Sequence, residues 1–411
     1  MSLSYEAFKR ALASERLPAM VVDLDALDRN VDRVLALIAP SKLPLRVATK
    51  SVRVPALLRR ILTRGGAAMR GLMTYTIDEA ALLATQGFDD LFVAYPQTSR
   101  SDLERAAGLV ARGVTLRLAV DAEPHLRRIS EVGEAHGVRV PVVICADMSL
   151  RLLGDRIHLG VRRSPIATPE DAIAIARAAS ELAGVTLVGL MGYEAQIAGL
   201  ADDHASDAPP MRAAKRSVRS MSVRVVRERR AALVRALRAE GHTLSIVNGG
   251  GTASLDSTTN DDFVTEVTCG SAFFKPHLFD NFTNAHVRSL EPACFFALEV
   301  TRVPAPGFAT CLGGGYVASG DAGRGGRTSA PLPWLPGGLA LLAGEMAGEV
   351  QTPLRVAPGA SVTHGDPVIF RHAKAGEIAE RFTHALLLQG GSDARVVDRA
   401  LTYRGLGACF V

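Results

Sequence analysis

Residues 43–50 are Leu-Pro-Leu-Arg-Val-Ala-Thr-Lys, an apolar run that ends in a lysine just before a helical pattern that begins near Pro55. The run predicts a β-strand, so Lys50 stands at the carboxyl end of a strand that leads into a helix. A lysine in that place suits Schiff-base chemistry, because an amine partly desolvated among apolar neighbours has a depressed pKa and attacks a carbonyl in its neutral form. A lone lysine is more often a solvated surface residue. The interpretation therefore depends on the rest of the chain.

The same strand pattern recurs along the chain. Seven further apolar runs end in polar or glycine-containing tips, at 69–71, 91–96, 116–121, 142–147, 187–193, 244–248 and 264–270. Helical patterns lie between most of them, at 77–85, 101–111, 168–182 and 213–240. Strands that alternate with helices indicate βαβ units around a parallel sheet, and eight such units predict a (β/α)8 barrel. Reactive groups in that fold lie at the carboxyl ends of the strands, where Lys50, Asp121, Asp147, Tyr193 and Asn248 fall.

Length and composition predict more than one domain. A chain of 411 residues is too long for one ordinary domain, and a hydrophobic fraction of 48% is ample for a large core. Short β-type runs separated by Gly- and Pro-rich stretches occupy the carboxyl-terminal part, at 295–303, 309–312, 368–370 and 385–389. We therefore expect the barrel over 43–285, a mainly β domain over 286–411, and an amino-terminal strand and helix within 1–42 that pack with the β domain.

Composition argues against several classes of function. No apolar stretch reaches the roughly 18 residues that a membrane span needs, and the amino terminus has no signal-peptide pattern. The five cysteines contain no C-x-x-C pair, which favours reduced thiols and a cytoplasmic location. The basic run at 212–238 has apolar residues at helical spacing, so it indicates a solvated helix face rather than a nucleic-acid site. We expect a small-molecule substrate, with neither a membrane nor a nucleic acid as partner.

A second motif lies at the ends of the last two predicted barrel strands. Residues 248–252 are Asn-Gly-Gly-Gly-Thr, and residues 269–271 are Cys-Gly-Ser. Glycines there let backbone N–H groups approach an anion, although a tight turn explains such a loop equally well. Barrels typically bind phosphate after the seventh and eighth strands. A Schiff-base lysine that faces a phosphate cradle is the arrangement that a pyridoxal-phosphate enzyme requires.

These motifs together resemble a known family. The chain is similar to the fold-type III pyridoxal-phosphate enzymes, in the branch of the D-threonine aldolases and D-serine dehydratases, which have an alanine racemase-like barrel. The resembling segments follow in family order over nearly the whole chain, at 20–30, 46–51, 78–80, 94–96, 159–162, 189–194, 249–252 and 269–271. The ordered set is specific, whereas each piece alone is weak.

The resemblance implies a role for individual residues. Lys50 would hold pyridoxal 5′-phosphate as a Schiff base and, once released, act as the base at the substrate's Cα. The expected cofactor-binding residues are Lys50, Arg162, Tyr193, Asn248, Gly250, Gly251, Thr252, Gly270 and Ser271. Arg162 could pair with the cofactor's phenolate oxygen or with the substrate carboxylate. For Tyr193 a plain packing role is as well supported.

The carboxyl-terminal domain departs from the family pattern. Relatives of this type carry a divalent metal on a His-x-Asp or His-x-Cys pair, and the matching residues here are His372-Ala373-Lys374. A protonated lysine cannot ligate a metal, so we expect no metal site. His372 and Lys374 are then candidate catalytic residues, with Lys374 as a fixed charge toward a hydroxyl or a second carboxylate, or as a surface residue. Further candidate neighbours are His364, Glu345 and Glu349. Glu377 could form an unrecognised metal arrangement with His372.

The resulting functional prediction is a lyase that acts on a D-configured 3-hydroxy amino acid by aldol cleavage or β-elimination. The resemblance also implies a homodimer, in which the β domain with Tyr316, His372 and Lys374 covers the partner's barrel mouth. An amino-acid racemase stays open, since Tyr316, Tyr403 or His372 could supply a second base. A non-catalytic cofactor carrier is the third alternative, and the second domain argues against it because a carrier needs only the barrel.

Overall fold

The amino-terminal segment places a strand in the carboxyl-terminal sheet. The computed structural model describes residues 3–153, 156–320 and 328–411. The chain starts with α1 (Tyr5–Ala11), β1 (Ala19–Asp23) and α2 (Leu24–Ile38). Asp23 caps α2, because its carboxylate accepts the backbone N–H of Ala26 at 3.0 Å.

The middle of the chain alternates strands and helices. The strands in this part are β2 (Leu45–Ala48), β3 (Met69–Thr74), β4 (Leu91–Val93), β5 (Leu116–Val120), β6 (Val140–Asp147), β7 (Leu150–Leu152), β8 (Ile157–Leu159), β9 (Val185–Tyr193), β10 (Ile246–Gly249) and β11 (Glu266–Cys269). The helices are α3 (Pro55–Gly65), α4 (Ile77–Thr85), α5 (Arg100–Ala111), α6 (Glu123–Ala135), α7 (Pro169–Ser180), α8 (Ala195–Ala198), α9 (Pro209–Ala239), α10 (Leu255–Thr258) and α11 (Ala285–Ser289).

Eight of these strands close into a parallel barrel in the order β10-β11-β2-β3-β4-β5-β6-β9, while β7 and β8 form a small antiparallel hairpin. The predicted (β/α)8 barrel is confirmed, with each predicted strand in place. The four predicted helical patterns correspond to α4, α5, α7 and α9. Thr168 caps α7 in a capping box with Asp171, because each side chain accepts a backbone N–H of the other residue.

A buried ion pair lies among the barrel strands. Arg46 on β2 is fully buried, and its guanidinium contacts Glu266 on β11 at 2.8 Å and Asp90 at 2.9 Å. A charge in such a place is tolerated only when it is paired and hydrogen-bonded. The pair therefore ties the first barrel strand to the last.

The carboxyl-terminal domain is mainly β, as predicted. Its strands are β12 (Cys294–Arg302), β13 (Phe308–Leu312), β14 (Leu332–Leu335), β15 (Leu339–Leu341), β16 (Gln351–Val356), β17 (Pro367–Arg371), β18 (His384–Gln389) and β19 (Arg395–Leu401). Together with β1 they form a nine-stranded sheet, in which β1 pairs antiparallel with β12 and parallel with β18. All five residues of β1 are buried because it lies between these two partners. The domain boundaries near residues 43 and 286 stay predictions.

The barrel and the β domain contact each other beside Lys50. Arg53 pairs with Glu380 at 2.8 Å, and the Tyr403 hydroxyl donates a hydrogen bond to Glu79 at 2.7 Å. Any side chain at Gly376 would collide with the backbone, because a Cβ there would lie 1.8 Å from the Lys50 carbonyl oxygen. The β domain is therefore packed directly against the turn that carries the lysine. Among the described residues, no helix is both long and apolar enough to cross a membrane.

Candidate active site

A cavity of about 570 Å³ opens where the eight barrel strands end. The five residues expected at strand ends, Lys50, Asp121, Asp147, Tyr193 and Asn248, all line it. Apolar side chains from an internal barrel cluster, among them Met73, Ala94 and Met191, complete part of the wall. A concave site with an apolar wall and a few convergent polar groups is the usual form of a small-molecule site.

Lys50 extends into this cavity from the short 3-10 turn Thr49–Ser51 that follows β2. Its Nζ lies 2.7 Å from the hydroxyl oxygen of Tyr95 and 5.5 Å from the centroid of the same ring. The surroundings differ from the expected apolar neighbours, since Lys50 is exposed and its amine contacts a phenol. The hydrogen bond to the phenol holds the amine in position. Burial among apolar groups would instead disfavour the charged form of the amine.

Glycines that follow β10 and β11 are required by close backbone packing. Gly250 has φ +103°, and a Cβ there would lie 3.0 Å from the Thr268 carbonyl oxygen. A Cβ at Gly251 would lie 2.7 Å from the Cβ of Ala198, and one at Gly270 would lie 2.6 Å from the Ala48 carbonyl oxygen. The two glycine loops thus form a narrow cradle without side chains, of the kind that brings backbone N–H groups close to an anion.

Hydroxyl groups complete the cradle. Ser271 lies across from Ser51, with 3.2 Å between their Oγ atoms, and Thr252 also lines the cavity. The Asn248 amide nitrogen is already used, since it donates to Glu266 at 2.9 Å and to Thr268 at 2.8 Å. Asn248 therefore fixes the ends of β10 and β11 relative to each other.

A buried charge network holds the first glycine loop. The Gly250 N–H donates to Glu194 at 2.8 Å, so this N–H is not free for a ligand. Glu194 in turn accepts from Arg230 on α9, which also binds Asp261, and both side chains of the Glu194–Arg230 pair are 1% exposed. Because a buried charge without its partner is strongly destabilising, this network links the position of the loop to that of α9.

Arg163, the sequence neighbour of the predicted Arg162, lies at the cavity wall near two aromatic rings. Arg162 and Arg163 are both exposed, and of the two only Arg163 lines the cavity. The guanidinium carbon of Arg163 lies 5.8 Å from the ring centroids of Tyr95 and of Tyr193. Burial raises the pKa of the Tyr193 phenol, and the charges of Lys50 and Arg163 oppose that shift.

His372 and Lys374 line a second cavity, of about 430 Å³, together with Arg53, Tyr316 and Glu377. The structure does not bring them into the Lys50 cavity of the same chain. The Lys50 turn separates the two cavities, since its side chain lines the first while its carbonyl oxygen accepts from Arg53 at 3.1 Å. His372 and Lys374 therefore lie on the other side of the turn from the Lys50 side chain.

His372 is buried and neutral. Within the described ranges neither ring nitrogen has a hydrogen-bond partner, and burial lowers the imidazole pKa to about 3, with the nearby charges of Arg371 and His277 adding to the effect. The Glu377 carboxylate is occupied, because it accepts from the backbone N–H of Ser319 at 2.7 Å and from its hydroxyl at 2.6 Å. Among the described residues, no group of three or more His, Cys, Asp or Glu side chains could hold a metal.

The remaining candidates are dispersed. Tyr316 packs edge-on against Phe296 and Phe382, while Tyr403 is fully buried against Glu79. Three further candidates are exposed, namely His364, Glu345 and Glu349. None of these three residues is among those that line the first or the second cavity.

Sequence reasoning missed Tyr95, His125, Arg163 and Glu194 as parts of this site. Glu194 directly follows β9 and Tyr95 lies two residues after the end of β4, so their place at strand ends was an available signal. His125 stands four residues after Asp121, within reach on the first turn of α6. Arg163 gave no such signal, since the strand that precedes it belongs to a hairpin outside the barrel.

Comparisons with known proteins agree with this architecture. The family model of the alanine racemase N-terminal domain matches residues 22–276. The 3-hydroxy-D-aspartate aldolase of Paracoccus denitrificans (strain Pd 1222) is 25% identical over 314 residues, which are 74% of each chain.

Two solved structures share the fold of nearly the whole chain. D-threonine aldolase from Filomicrobium marinum superposes with a TM-score of 0.76 at 22% identity and covers 96% of each chain. D-threo-3-hydroxyaspartate dehydratase from Delftia sp. HT23 has a TM-score of 0.73 at 22% identity, over 95% of this chain and 98% of the other. The family model covers more than half of the chain, and the chain therefore belongs to the family of the alanine racemase N-terminal domain.

Proposed function

We propose that the protein is a pyridoxal-phosphate-dependent lyase that acts on a D-configured 3-hydroxy amino acid, by aldol cleavage or β-elimination. The observation that carries the proposal is the position of Lys50, which shares one cavity with the glycine cradle formed after β10 and β11. The related aldolases and dehydratase support the substrate class, since each is named for a D-configured 3-hydroxy amino acid.

The residues present fit the cofactor. Lys50 would hold it covalently, while Gly251, Thr252, Gly270 and Ser271 would receive its phosphate in the narrow cradle. When bound, the cofactor supplies an electron-withdrawing ring that stabilises negative charge at the substrate's Cα. Because the Gly250 N–H is committed to Glu194, Gly250 contributes its conformation rather than a donor.

The chain's own residues can bind and orient the substrate. Arg163 lies between two tyrosine rings at the cavity wall, a position from which a guanidinium can bind a carboxylate. Lys50, once released from the cofactor, moves the proton at Cα, and the phenol of Tyr95 holds its amine in place. We assign Arg163 the role that the sequence suggested for Arg162, because Arg163 and not Arg162 is among the residues that line this cavity.

We further propose that turnover requires no divalent metal. Lys374 stands where relatives place their second metal ligand, and an ammonium group has no lone pair to offer. His372 and Lys374 line the second cavity and would supply a neutral imidazole and a positive charge in place of the metal.

A homodimer is the assembly that we propose for the active protein, since His372 and Lys374 lie outside the Lys50 cavity of their own chain. Exposed apolar residues support it, with Leu153 and Ile157 at the β7–β8 hairpin and Val317 at the second cavity. Analytical ultracentrifugation should show a dimer. A fully active monomer at the assay concentration would contradict the shared site.

All five cysteines are free, which suits the cytoplasmic location we propose.

Product analysis tests the reaction. The protein should be incubated with D- and L-3-hydroxy amino acids, with and without chelator. An aldolase releases glycine and an aldehyde, a dehydratase releases ammonia and a 2-oxo acid, and a racemase changes only optical rotation. Turnover of L-isomers alone, or racemisation without cleavage, would contradict the proposal, as would a protein that binds the cofactor and turns over nothing.

A further inference from the structure

A buried carboxylate lies directly against the glycine loop that follows β10. Glu194 accepts a hydrogen bond from the backbone N–H of Gly250 at 2.8 Å. A Cβ at Gly249 would lie only 2.8 Å from Glu194 Oε1, so the loop fits against this carboxylate only as glycine. Gly250 and Gly251 of the same loop line the cavity that contains Lys50. The loop thus contacts a buried charge and also forms part of the cavity wall.

The surroundings of Glu194 are rich in hydrogen-bond donors. Besides the Gly250 N–H, the Arg230 guanidinium on α9 donates to it, and the hydroxyls of Ser254 and Thr258 lie within reach at 3.4 Å and 3.3 Å. A carboxylate accepts at both oxygens. An amide in its place would turn its NH2 group toward either the Gly250 N–H or the Arg230 guanidinium. These neighbours therefore require a carboxylate.

Arg230 anchors this carboxylate to two other parts of the barrel. Its Nη2 also donates to the carbonyl oxygen of Gly192 on β9 at 3.2 Å, and its Nη1 donates to Asp261 at 2.5 Å. A Cβ at Gly249 would lie 2.7 Å from Nη2, so the guanidinium too is in close contact with the loop. Divergent contacts of this kind need the fork of a guanidinium, which an ammonium lacks. Arg230 therefore sets where the Glu194 carboxylate lies.

Building on the proposed function, we propose that the Glu194–Arg230 pair determines how tightly the cofactor's phosphate is bound. The loop supplies Gly251 and Thr252 to the proposed phosphate cradle, and Glu194 fixes the residue that precedes them, Gly250. Both members of the pair are positioning residues, because neither is among the described residues that line the cavity. Arg230 also neutralises a carboxylate that would otherwise repel a phosphate from the other side of the loop.

Fixing the loop in advance strengthens the binding of an anion. Residues 249–251 are three consecutive glycines, and Gly250 has φ +103°, so the free segment has wide conformational freedom. Glu194 uses one N–H that a phosphate could otherwise receive, and in return it holds the loop in one conformation. A loop that is already held does not lose this freedom when a ligand binds. The pair therefore acts on phosphate affinity rather than on the Schiff base at Lys50.

Affinities for two ligands separate this role from a general structural one. Pyridoxal phosphate and pyridoxal both form a Schiff base, and only the first carries a phosphate. Titration of the full-length protein freed of cofactor, followed by the visible absorbance of the Schiff base, gives a Kd for each. Arg230→Lys should raise the Kd of pyridoxal phosphate by on the order of tenfold or more, while that of pyridoxal stays within about twofold. The matched control is Arg224→Lys, at an exposed position of the same helix, which should alter neither Kd.

Two further variants extend the test, and circular dichroism checks that each one folds. Glu194→Gln should weaken the binding of pyridoxal phosphate at least as much as Arg230→Lys. Asp261→Asn keeps an oxygen for Arg230 and should weaken it less. Should Arg230→Lys fail to fold, Asp261→Asn decides in the same way. Equal losses for both ligands would make the pair merely structural and overturn the proposal, as would an unchanged Kd of pyridoxal phosphate.

The unchanged protein distinguishes failure of this proposal from failure of the proposed function. If it binds neither pyridoxal phosphate nor pyridoxal, the proposed function fails. If it forms a Schiff base with both at comparable Kd, the lysine assignment stands, while the phosphate cradle and the role of the Glu194–Arg230 pair are wrong.

Discussion

The Nζ of Lys50 and the hydroxyl oxygen of Tyr95 lie 2.7 Å apart, although 45 residues separate them and they follow different barrel strands. The same ring faces Arg163, so one phenol lies close to both cations of the cavity wall. Barrel closure brings the ends of β2 and β4 within side-chain reach across β3. The lysine is therefore held by a neighbour that its own sequence context does not reveal.

Removing the amine should remove the covalent linkage. The purified protein should be yellow, and borohydride should abolish its visible band and leave the reduced cofactor on Lys50, as shown by peptide mass. In Lys50→Ala we expect weak, non-covalent cofactor binding, because the glycine cradle remains, and no turnover. Lys275 is the competitor, since burial lowers the pKa of its amine. Reduced cofactor on Lys275 would contradict the assignment.

Removing the Tyr95 hydroxyl tests whether the phenol positions the lysine. Tyr95→Phe keeps the ring and deletes the partner at 2.7 Å. A hydrogen bond between neutral groups is worth about 0.5–1.5 kcal/mol, so we expect the neutral amine to form the linkage about two- to tenfold more slowly without its phenol partner. Stopped-flow absorbance during reconstitution of the apo protein measures this rate. Unchanged reconstitution and turnover would show that the contact has no role.

The barrel and its strand-end residues could be predicted because they depend on local patterns. Most barrel strands are buried and largely apolar, and the chain order of strands and helices dictates which ends meet at the mouth. In the β domain the strands β14, β15, β16 and β19 were missed, because β14 and β15 are short, β14 and β16 contain a proline, and β19 buries only one of its seven residues.

Long-range pairs could not be predicted at all. Glu79 accepts from Tyr403, which lies 324 residues away, and no local pattern indicates such a partner. The structure has Arg163 rather than Arg162 at the cavity wall for a related reason. Which of two adjacent arginines faces the cavity depends on the backbone that follows the β7–β8 hairpin, and sequence spacing does not specify it.

Glu79 predicts a pH dependence of stability. Its side chain is fully buried, and burial raises the carboxyl pKa to about 7 despite hydrogen bonds from Thr49, Tyr75 and Tyr403. Between pH about 4.5 and about 7 the folded protein keeps this proton while the unfolded chain loses it, so stability falls as pH rises through that range. The loss is on the order of 3 kcal/mol when complete.

Denaturant unfolding from pH 4.5 to pH 8 tests this dependence. Glu79→Gln should flatten the decline, because its amide oxygen can accept the Tyr75 N–H and its NH2 group can donate to the Tyr403 hydroxyl. The exposed Glu131 provides the matched control, and Glu131→Gln should retain the slope of the unchanged protein. A pH slope that Glu79→Gln leaves unaltered would show that Glu79 is ionised in the folded state.

The last prediction is that catalysis needs no divalent metal. Two positive charges within about 4 Å at an effective dielectric constant of about 20 repel by about 4 kcal/mol, enough to weaken metal binding near Lys374 by on the order of a thousandfold. Activity should therefore survive exhaustive chelation. Lys374→Asp, which restores a carboxylate two residues after His372, should create metal dependence, whereas Lys374→Met removes the charge without a hard ligand and should remain indifferent to chelator. If chelator abolishes turnover of the unchanged protein and zinc or manganese restores it, the metal-assisted mechanism of the relatives replaces this one.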